Sequence, residues 1–437
     1  MTPPLPTPAD RRPTVAIVGN VQTPYRLQVH RRFAREIPEI RLASLFTHDV
    51  PDSPWRLQAD PEINPVMFGP GEVGDDRGKA VRALHEWRKG GRICRWLAEH
   101  DVRMVVSGGY ADPAQLRVLR WCRRQGVPCY IWADSNIRGD TATGLKRAVK
   151  NVVVRRVVRG ASGCLVFGSM GREYFQRYGA DPNRIFFVPF EPQYDLFANP
   201  DPSLVTDVRN RHGLGEGRRR IVFSGRLIPL KRVDLAIDAF AAIASKRPEW
   251  DLVICGGGPL DAALKARVPH ALHDRIRFLG FIADQAELGA IYRCCDVMVL
   301  TSNREAWSLV INEGAAAGLV LVVSDVVGAA PELVHEGVNG RTFRSEDLPA
   351  LIDALLDATD PIPLQERQAA SRAVIARWRA QADPVEGFRA ALRLSGVLPA
   401  SSAAGQPSPQ PAASPADNPG AGAQATDRTG PGPGPYV

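Results

Sequence analysis

Residues 297–324, VMVLTSNREAWSLVINEGAAAGLVLVVS, alternate two short apolar runs with a segment long enough for a helix. The runs Val297–Leu300 and Val320–Ser324 are continuously apolar, as in strands that are buried on both faces of a sheet. Strand, helix and strand in this order predict a βαβ unit with parallel strands. We expect the helix to begin near Ser308.

The same pattern extends in both directions from this unit. Strand-like runs alternate with helical patterns such as Lys231–Ala244 and Asp347–Ala358, and they form two series on either side of the polar stretch Tyr194–Arg220. Two such series predict an α/β fold with two Rossmann-like domains that face each other across a cleft. The strands expected in the first series are Thr14–Val18, Leu42–Phe46, Met104–Ser107, Cys129–Trp132, Cys164–Phe167 and Phe186–Val188. Those of the second series are Ile221–Ser224, Leu252–Cys255, Ile276–Leu279, Val297–Leu300 and Val320–Ser324.

Domain boundaries follow from these series and from composition. The end of the chain is Ala-, Pro- and Gly-rich with few large apolar side chains, so we expect it to be disordered. The helical periodicity of Gln365–Leu394 precedes it. The expected segments are a disordered N-terminus (1–12), an N-terminal Rossmann-like domain (13–195), a linker (196–220), a C-terminal Rossmann-like domain (221–375), a C-terminal helix that packs back on the N-terminal domain (376–397) and a disordered tail (398–437).

The net charge of the 437-residue chain is +8, and much of it is local. The window Arg138–Arg159 holds seven basic residues and a single acid, Asp140. Such a window is typical of a solvated helix face, but it would also attract an anionic membrane or a phosphorylated acceptor. We expect no nucleic-acid partner. Scattered cysteines, no secretory pattern and no bilayer-length apolar stretch favour a cytoplasmic location, with peripheral contact at the inner face of the membrane left open.

Several motifs of other enzyme classes do not occur in the sequence. There is no GxGxxG after an expected strand, no HExxH and no GxSxG, which argues against a dinucleotide cofactor, a zinc protease and a serine hydrolase. The nearest P-loop candidate, Gly74–Ala80, is one residue too short. No Asp-x-Asp pair occurs either. We therefore expect neither a cofactor nor a metal site, and cationic side chains would have to neutralise a diphosphate substrate.

Two segments that follow expected strands suit a phosphate group. After the strand ending at Ser224, Gly225 turns the chain; Arg226 can then bind phosphate oxygens in a bidentate way, and Lys231 adds a point charge. The glycines of Gly256–Gly258 follow the next strand, where they let the backbone approach a ligand before a helix begins. Taken alone, the first segment is typical of solvated loop cations and the second of a tight turn.

The segment Glu305–Glu313 places two carboxylates around a helix start. A carboxylate can accept hydrogen bonds from two vicinal hydroxyls, such as those of a ribose or a hexose. The amides of residues 307–309 would lie at the helix N-terminus and could receive a phosphate. Two glutamates eight residues apart are usually solvated, so the pair gains weight only from its position. A further segment, Ser324–Leu333, is expected to form another wall of the cleft.

In combination these segments are specific. They occur in the order GRL-x3-K, GGGP, E-x7-E, SD-x-x-G and G-x-NG over residues 220–345. This order resembles the retaining glycosyltransferases of family 4, which have the GT-B fold. The segment Thr23–Arg26, TPYR, is similar to a polysaccharide-building branch of that family. The resemblance implies metal-independent, retaining transfer of a sugar from a nucleotide-diphosphate sugar to a polysaccharide, lipid-linked or other glycan acceptor.

The resemblance also implies a role for each matching residue. Arg226 and Lys231 would bind the donor diphosphate and stabilise the charge of the leaving group. Glu313 would hold the ribose, and Glu305 would contact the donor sugar. No covalent nucleophile is expected, and the departing phosphate would take the proton of the acceptor. Further expected donor contacts are Gly225, Gly258, Trp307, Ser308 and Leu309, and expected acceptor contacts are Tyr25, Arg26 and Asp134.

The sequence departs from the family pattern in two places. Ser308 stands where the family commonly has glycine, beside the expected sugar position. The N-terminal half lacks the frequent Gly-Gly loop and a clear histidine near the reacting centre, because His30 is expected to be structural.

Two alternative hypotheses stay open. GT-B folds also serve nucleotide-sugar epimerases and phosphorylases, which need no separate acceptor. The chain could instead be a docking protein for membranes or nucleic acid, with a degenerate donor site in which Ser308 is the lesion.

Overall fold

The structure is a computed structural model that describes residues 11–48, 60–69 and 80–400. Residues 1–10 and 401–437, which make up most of the two segments expected to be disordered, lie outside the described residues. Gly74–Lys79 of the P-loop candidate lies outside them as well.

The first domain is built on a parallel sheet of seven strands, in the order β3-β2-β1-β4-β5-β6-β7. Both faces of this sheet are buried. Val15 and Ile17 of the first strand pack in one hydrophobic cluster, and Ala16 and Val18, which point to the other face, pack in a second. The strands are β1 Thr14–Gly19, β2 Arg41–Phe46, β3 Val66–Met67, β4 Val102–Ser107, β5 Cys129–Ala133, β6 Gly163–Val166 and β7 Ile185–Phe187. The helices are α1 Pro24–Glu36, α2 Ala80–Glu99, α3 Pro113–Gln125, α4 Gly144–Gly160 and α5 Ser169–Arg177. Two further helices, α6 Tyr194–Ala198 and α7 Pro202–Arg211, follow this sheet in the chain and pack against the second domain.

The second domain is a parallel sheet of six strands, in the order β10-β9-β8-β11-β12-β13. Its central strands are buried on both faces, which explains their continuous apolar runs. The strands are β8 Arg219–Ser224, β9 Trp250–Cys255, β10 Ile276–Gly280, β11 Val297–Leu300, β12 Val320–Ser324 and β13 Gly340–Phe343. The helices are α8 Val233–Ile243, α9 Asp261–Arg267, α10 Gln285–Arg293, α11 Leu309–Ala317, α12 Ala330–Leu333, α13 Leu348–Ala358, α14 Leu364–Gln381 and α15 Pro384–Leu394.

Each sheet has one point where the strand order reverses, and this point positions the site. In the first sheet β1 lies beside β4, and in the second β8 lies beside β11. The loops that leave such neighbouring strands diverge and open a crevice at their carboxyl ends, where ligands of doubly wound folds bind. The loop after β8 carries Arg226, and the loop after β11 carries Glu305.

The segment 196–220, expected to be a linker, contains a helix. The Asp201 carboxylate accepts a hydrogen bond from the Ser203 amide at 2.8 Å and caps α7, whose first residue is Pro202. Val205 and Val208 are buried in the main hydrophobic cluster. The helix therefore forms from a short apolar stripe, which the flanking prolines and glycines had obscured.

The end of the described chain returns to the first domain. The long helical pattern breaks at Pro384, so that α14 and α15 are separate helices. Phe388 of α15 stacks on Phe33 of α1 with ring centroids 4.4 Å apart, and the Tyr130 hydroxyl donates to the Ala391 carbonyl at 3.3 Å. The chain returns beside its first crossing, because the Arg379 guanidinium lies 4.1 Å from the centre of the Tyr194 ring at the start of α6.

Candidate active site

The loops after β8 and β11 are joined by hydrogen bonds to backbone carbonyls of the first loop. The hydroxyl of Thr301, directly after β11, donates to the carbonyls of Lys231 and Arg232 at 2.9 and 2.8 Å. The amide of Asn303 donates to the carbonyl of Leu230 at 3.0 Å. These bonds set the spacing between the two loops and hence between the charged side chains they carry.

Lys231 and Glu305 meet in a direct ion pair at this junction. The Glu305 carboxylate also accepts a hydrogen bond from the Ser302 hydroxyl at 3.1 Å. Both members of the pair are largely buried, which strengthens their attraction relative to a surface pair. The structure therefore brings together two residues that lie 74 positions apart in the sequence.

The two glycine-containing segments interlock beside this pair. The Gly225 amide donates to the Cys255 carbonyl at 2.9 Å, and the Leu227 amide donates to the Gly257 carbonyl at 2.9 Å. A Cβ atom on Gly256 would lie 1.9 Å from the Gly225 oxygen, and one on Gly258 would lie 2.6 Å from the Leu227 oxygen. Glycine is thus required for loop packing. The Arg226 side chain is exposed on this paired loop.

Glu313 lies on α11 and is fully buried. Its carboxylate accepts hydrogen bonds from the Tyr25 hydroxyl at 2.8 Å and from the Tyr292 hydroxyl at 3.3 Å. Burial raises the pKa of Glu313 to about 7, although both hydroxyls favour the charged form. The carboxylate expected to hold a ribose therefore already has a partner from the opposite domain. Tyr25, expected to contact the acceptor, lies at Glu313.

The residues around the start of α11 differ in backbone conformation and in side-chain hydrogen bonding. Ser308 has a φ of +80°, which is unfavourable for a residue with a Cβ atom, and its side chain makes no capping hydrogen bond. The Trp307 indole is buried and donates to the Asn312 side chain at 3.1 Å. Trp307 is thus held in the core, while its backbone stands at the N-terminal end of the helix beside Leu309.

A cavity of about 720 Å³ lies between the reversal point of the first sheet and the Glu305 loop. Arg26 and Asp134 line it, as expected for acceptor contacts, whereas Tyr25 is not among its lining residues. Glu305 also lines the cavity, and its partner Lys231 belongs to the loop after β8. The Lys231–Glu305 pair therefore lies where this cavity meets the donor-side loops. Lining residues that the sequence analysis did not single out include Asn20, Tyr110, Asn136, Lys150 and Arg304.

Asn136 joins the two domains at the rim of this cavity. Its side-chain amide donates to the carbonyls of Glu305 and Ala306 at 2.7 and 2.8 Å. It lies two positions after Asp134 in the loop after β5. Its position after the carboxyl end of a strand indicates a cleft residue, but the sequence analysis named only Asp134 there.

Lys150 is positioned by a buried carboxylate. Asp140 accepts hydrogen bonds from Lys150 at 2.8 Å, from Arg147 at 3.1 Å and from the Tyr178 hydroxyl at 2.7 Å. Burial would raise the pKa of Asp140, but these donors hold it below its ordinary value. The single acid of the basic window thus anchors the beginning of α4 beside the cavity.

His30 is a core residue of the first domain. It is fully buried, stacks near Phe46 and Trp132, and its Nδ1 atom lies 2.9 Å from the Ser44 hydroxyl. Burial, with a smaller effect from Arg26, lowers its pKa to about 3, so the ring is neutral. These contacts agree with the structural role expected for it.

The family model described as glycosyl transferases group 1 matches residues 218–360. This range spans the second sheet and all four donor-side segments. The donor-side domain is thus similar to the group 1 glycosyltransferases.

Curated glycosyltransferases of similar sequence include two kinds. A GDP-mannose-dependent alpha-(1-6)-phosphatidylinositol monomannoside mannosyltransferase of Mycolicibacterium smegmatis is 28% identical over 321 residues, covering 70% of this chain and 79% of that relative. A D-inositol 3-phosphate glycosyltransferase of Pseudarthrobacter chlorophenolicus is 31% identical over 257 residues, covering 56% of this chain and 59% of that relative. Together with the family match they confirm that this chain is a glycosyltransferase.

Solved structures of other proteins show the same fold. Anabaena HepE in complex with UDP and glucose is similar with a TM-score of 0.66 and 16% identity, over 88% of this chain and 100% of that one. WaaG, a glycosyltransferase involved in lipopolysaccharide biosynthesis, is similar with a TM-score of 0.63 and 15% identity, over 87% of this chain and 100% of that one. The predicted GT-B fold is confirmed. Among the described helices, none is both long and apolar enough to cross a membrane.

Proposed function

We propose that this glycosyltransferase moves a sugar from a nucleotide-diphosphate sugar to a glycan or lipid-linked acceptor, with retention of anomeric configuration and without a metal ion. The observation that carries this proposal is the Lys231–Glu305 pair. It stands where the crevice of the donor-side sheet meets the cavity of the first domain. A sugar bound there would have its diphosphate on one side and the acceptor on the other.

Arg226 and Lys231 are the cations that support diphosphate binding. Arg226 presents an exposed guanidinium on the loop after β8, and Lys231 follows on the same loop. As the bond between the sugar and the phosphate breaks, negative charge develops on the β-phosphate oxygen. Cations already in place stabilise that charge without reorganisation. The backbone at Gly225, Gly258 and the start of α11 would complete the contacts to the donor.

Glu305 is proposed to contact the donor sugar and not to act as a nucleophile. Its carboxylate is held by Lys231 and by Ser302 at 3.1 Å, which fixes its orientation. We propose that the acceptor oxygen forms its bond to the anomeric carbon on the face from which the phosphate departs. The acceptor proton passes to the departing phosphate oxygen, which balances the step without an enzyme base.

Glu313 is the proposed ribose contact, and its use requires a rearrangement. A ribose that bonds to the carboxylate has to replace the Tyr25 hydroxyl, which now lies 2.8 Å from it. Tyr25 belongs to the first domain, so donor binding is proposed to move this contact between the domains. The role of Tyr25 is then to control access to the donor site.

The acceptor is proposed to bind in the 720 Å³ cavity. Arg26, Lys150 and Arg304 supply positive charge to its lining, while Asp134 can accept hydrogen bonds from acceptor hydroxyls. The relatives named above act on an inositol phosphate and on a phosphatidylinositol mannoside, and both acceptors carry a phosphate next to a polyol. We propose an acceptor of that chemistry, met at the membrane surface through the window Arg138–Arg159.

The proposal is tested by incubating the protein with UDP-, GDP- and ADP-sugars and with inositol phosphate or phosphatidylinositol, in buffer containing a chelator. Proton NMR of the product then gives the configuration at the new linkage. Transfer with retention in the presence of chelator is expected. Inverted product, a strict need for a divalent ion, or conversion of the donor sugar without an acceptor would overturn the corresponding part of the proposal.

A further inference from the structure

Two helices on the same side of the first sheet, α3 and α4, carry a concentrated positive charge. Helix α3 contains four arginines, and α4 contains four arginines and two lysines; neither helix contains an acid. Part of the charge on α4 is neutralised at Asp140, which accepts hydrogen bonds from Arg147 and Lys150. The other three arginines of α4, Arg155, Arg156 and Arg159, are exposed.

Arginines line a groove between these two helices. Its volume is about 450 Å³, and its walls are Arg120, Arg123 and Arg124 of α3 and Arg156 of α4, together with apolar side chains. All four arginines are exposed. Within the part of the chain that the structure describes, none of them forms an ion pair or a side-chain hydrogen bond. Four guanidinium groups without carboxylate partners repel one another, and an anion in the groove would relieve this repulsion.

The groove adjoins the proposed acceptor cavity. Leu116 of α3 and Val157 of α4 line both spaces. These two side chains stand between the arginines and the cavity lined by Lys150 and Glu305. The arginines thus lie next to the proposed acceptor site.

An exposed apolar stripe runs along α4 beside the groove. Leu145 is 81% exposed and Val152 is 70% exposed, and Val149 and Val153 are exposed as well. Their spacing of three, four and seven residues places them on one helical face. Arg156 lies on that same face, at i+4 from Val152. Exposed aliphatic side chains interspersed with arginines fit the boundary between lipid headgroups and acyl chains, where both kinds of side chain are accommodated.

We propose that the α3–α4 groove binds the phosphate of an anionic phospholipid while the apolar stripe of α4 enters the bilayer surface. The membrane then delivers a lipid-linked acceptor to the cavity past Leu116 and Val157; this second statement rests on the function proposed above. A nucleic acid would satisfy the arginines but would leave the aliphatic stripe in water. The stripe is therefore the feature that favours a lipid surface.

The test is sedimentation of the full-length protein with vesicles of phosphatidylcholine alone or mixed with phosphatidylglycerol. The groove variant carries Arg123→Gln, Arg124→Gln and Arg156→Gln. The control variant carries Lys246→Gln, Arg293→Gln and Arg377→Gln, which removes the same charge from exposed positions of the donor-side domain and α14. A third variant, Leu145→Ser with Val152→Ser, removes exposed apolar groups without opening the core. All six sites of the charge variants are exposed, and thermal melting checks that each protein folds.

The wild type and the control variant are expected to bind the anionic vesicles and not the phosphatidylcholine vesicles. The groove variant should lose at least about tenfold in partitioning, because each basic residue near an anionic surface contributes measurably to binding. The stripe variant should also bind more weakly. Equal loss in the groove and control variants, equal binding to both vesicle types, or tighter binding to a nucleic-acid oligonucleotide than to anionic vesicles would overturn the proposal. Since sedimentation needs no sugar transfer, and titration with nucleoside diphosphates reports the donor site, failure of either proposal is recognised separately.

Discussion

At the residue scale, Ser308 is the clearest departure from the family pattern, and the structure gives its physical cost. A φ of +80° brings the Cβ atom of any residue other than glycine too close to its own backbone. Because the Ser308 side chain makes no capping hydrogen bond, its replacement sacrifices none. Serine at this position therefore costs conformational free energy that glycine would not.

We predict that Ser308→Gly stabilises the protein by about 1 kcal/mol, since relief of the left-handed strain exceeds the entropy cost of glycine. Thermal melting measures the change. Ser308→Ala is the matched control, because it keeps the Cβ atom and removes only the hydroxyl. If alanine stabilises the protein as much as glycine does, the strain is not the cause.

Glu313 makes a pH-dependent contribution to stability. Its pKa is raised by burial from 4.5 to about 7, so the folded protein holds a proton there that the unfolded chain has released. This contribution is fully present below pH 4.5 and is lost as the pH rises through about 7. Glu313→Gln cannot ionise and should therefore gain stability relative to the wild type between pH 5 and pH 8, by about 3 kcal/mol at most. Melting curves of both proteins at several pH values measure this; a difference that does not change with pH contradicts the assignment.

At the scale of elements, what the sequence predicts well is what depends on local pattern. Strands such as β11 and β12 were located to the residue because both of their faces are buried, which leaves an uninterrupted apolar run. The two-residue strand β3 and the polar strand β13 carry no such run and were not predicted. Helix α7 was hidden because only Val205 and Val208 of its residues are buried.

Partnerships between distant residues were beyond the sequence. Lys231 and Glu305 were both chosen as donor-site residues, but nothing local indicated that they pair. The hydrogen bond from Tyr25 to Glu313 joins residues 288 positions apart and depends on how the two domains meet. The arginine groove escaped notice for a similar reason: α3 lay outside the basic window, and only the fold places it beside α4.

Helix α15 packs the end of the described chain against the first domain, and Phe388 makes the main contact. Phe388 is fully buried against Phe33. Phe388→Ala should destabilise the protein by about 3–5 kcal/mol through lost burial and the cavity left behind. Leu394→Ala, on the same helix but half exposed, should cost far less. Chemical denaturation followed by tryptophan fluorescence compares them, and equal effects would show that α15 does not dock through Phe388.

At the scale of the whole molecule, the two domains face each other with Tyr25 against Glu313 and Asn136 against the Glu305 loop. In this arrangement the proposed ribose contact is closed and the acceptor cavity is open. Donor binding would then change the contact between domains before the sugar meets the acceptor, which links the donor site to the relative position of the domains.

The Tyr25 hydroxyl competes with the donor in this account. We predict that Tyr25→Phe lowers the dissociation constant of a nucleoside diphosphate by up to about tenfold, because the ribose no longer has to displace a hydrogen bond to a carboxylate. Calorimetric titration measures it, with Tyr110→Phe in the acceptor cavity as the control. Weaker binding in Tyr25→Phe would mean that the hydroxyl contacts the nucleotide and does not block it.

Calorimetric titration with nucleoside diphosphates tests directly whether the Lys231–Glu305 junction is the donor site. Wild type, Lys231→Ala and the exposed-lysine control Lys246→Ala are titrated in turn with UDP, GDP and ADP in the presence of a chelator. We expect the wild type and the control to bind at least one diphosphate equally well, and Lys231→Ala to lose at least about tenfold in affinity for it. Unchanged affinity in Lys231→Ala, or no binding of any of the three diphosphates by the wild type, would contradict it.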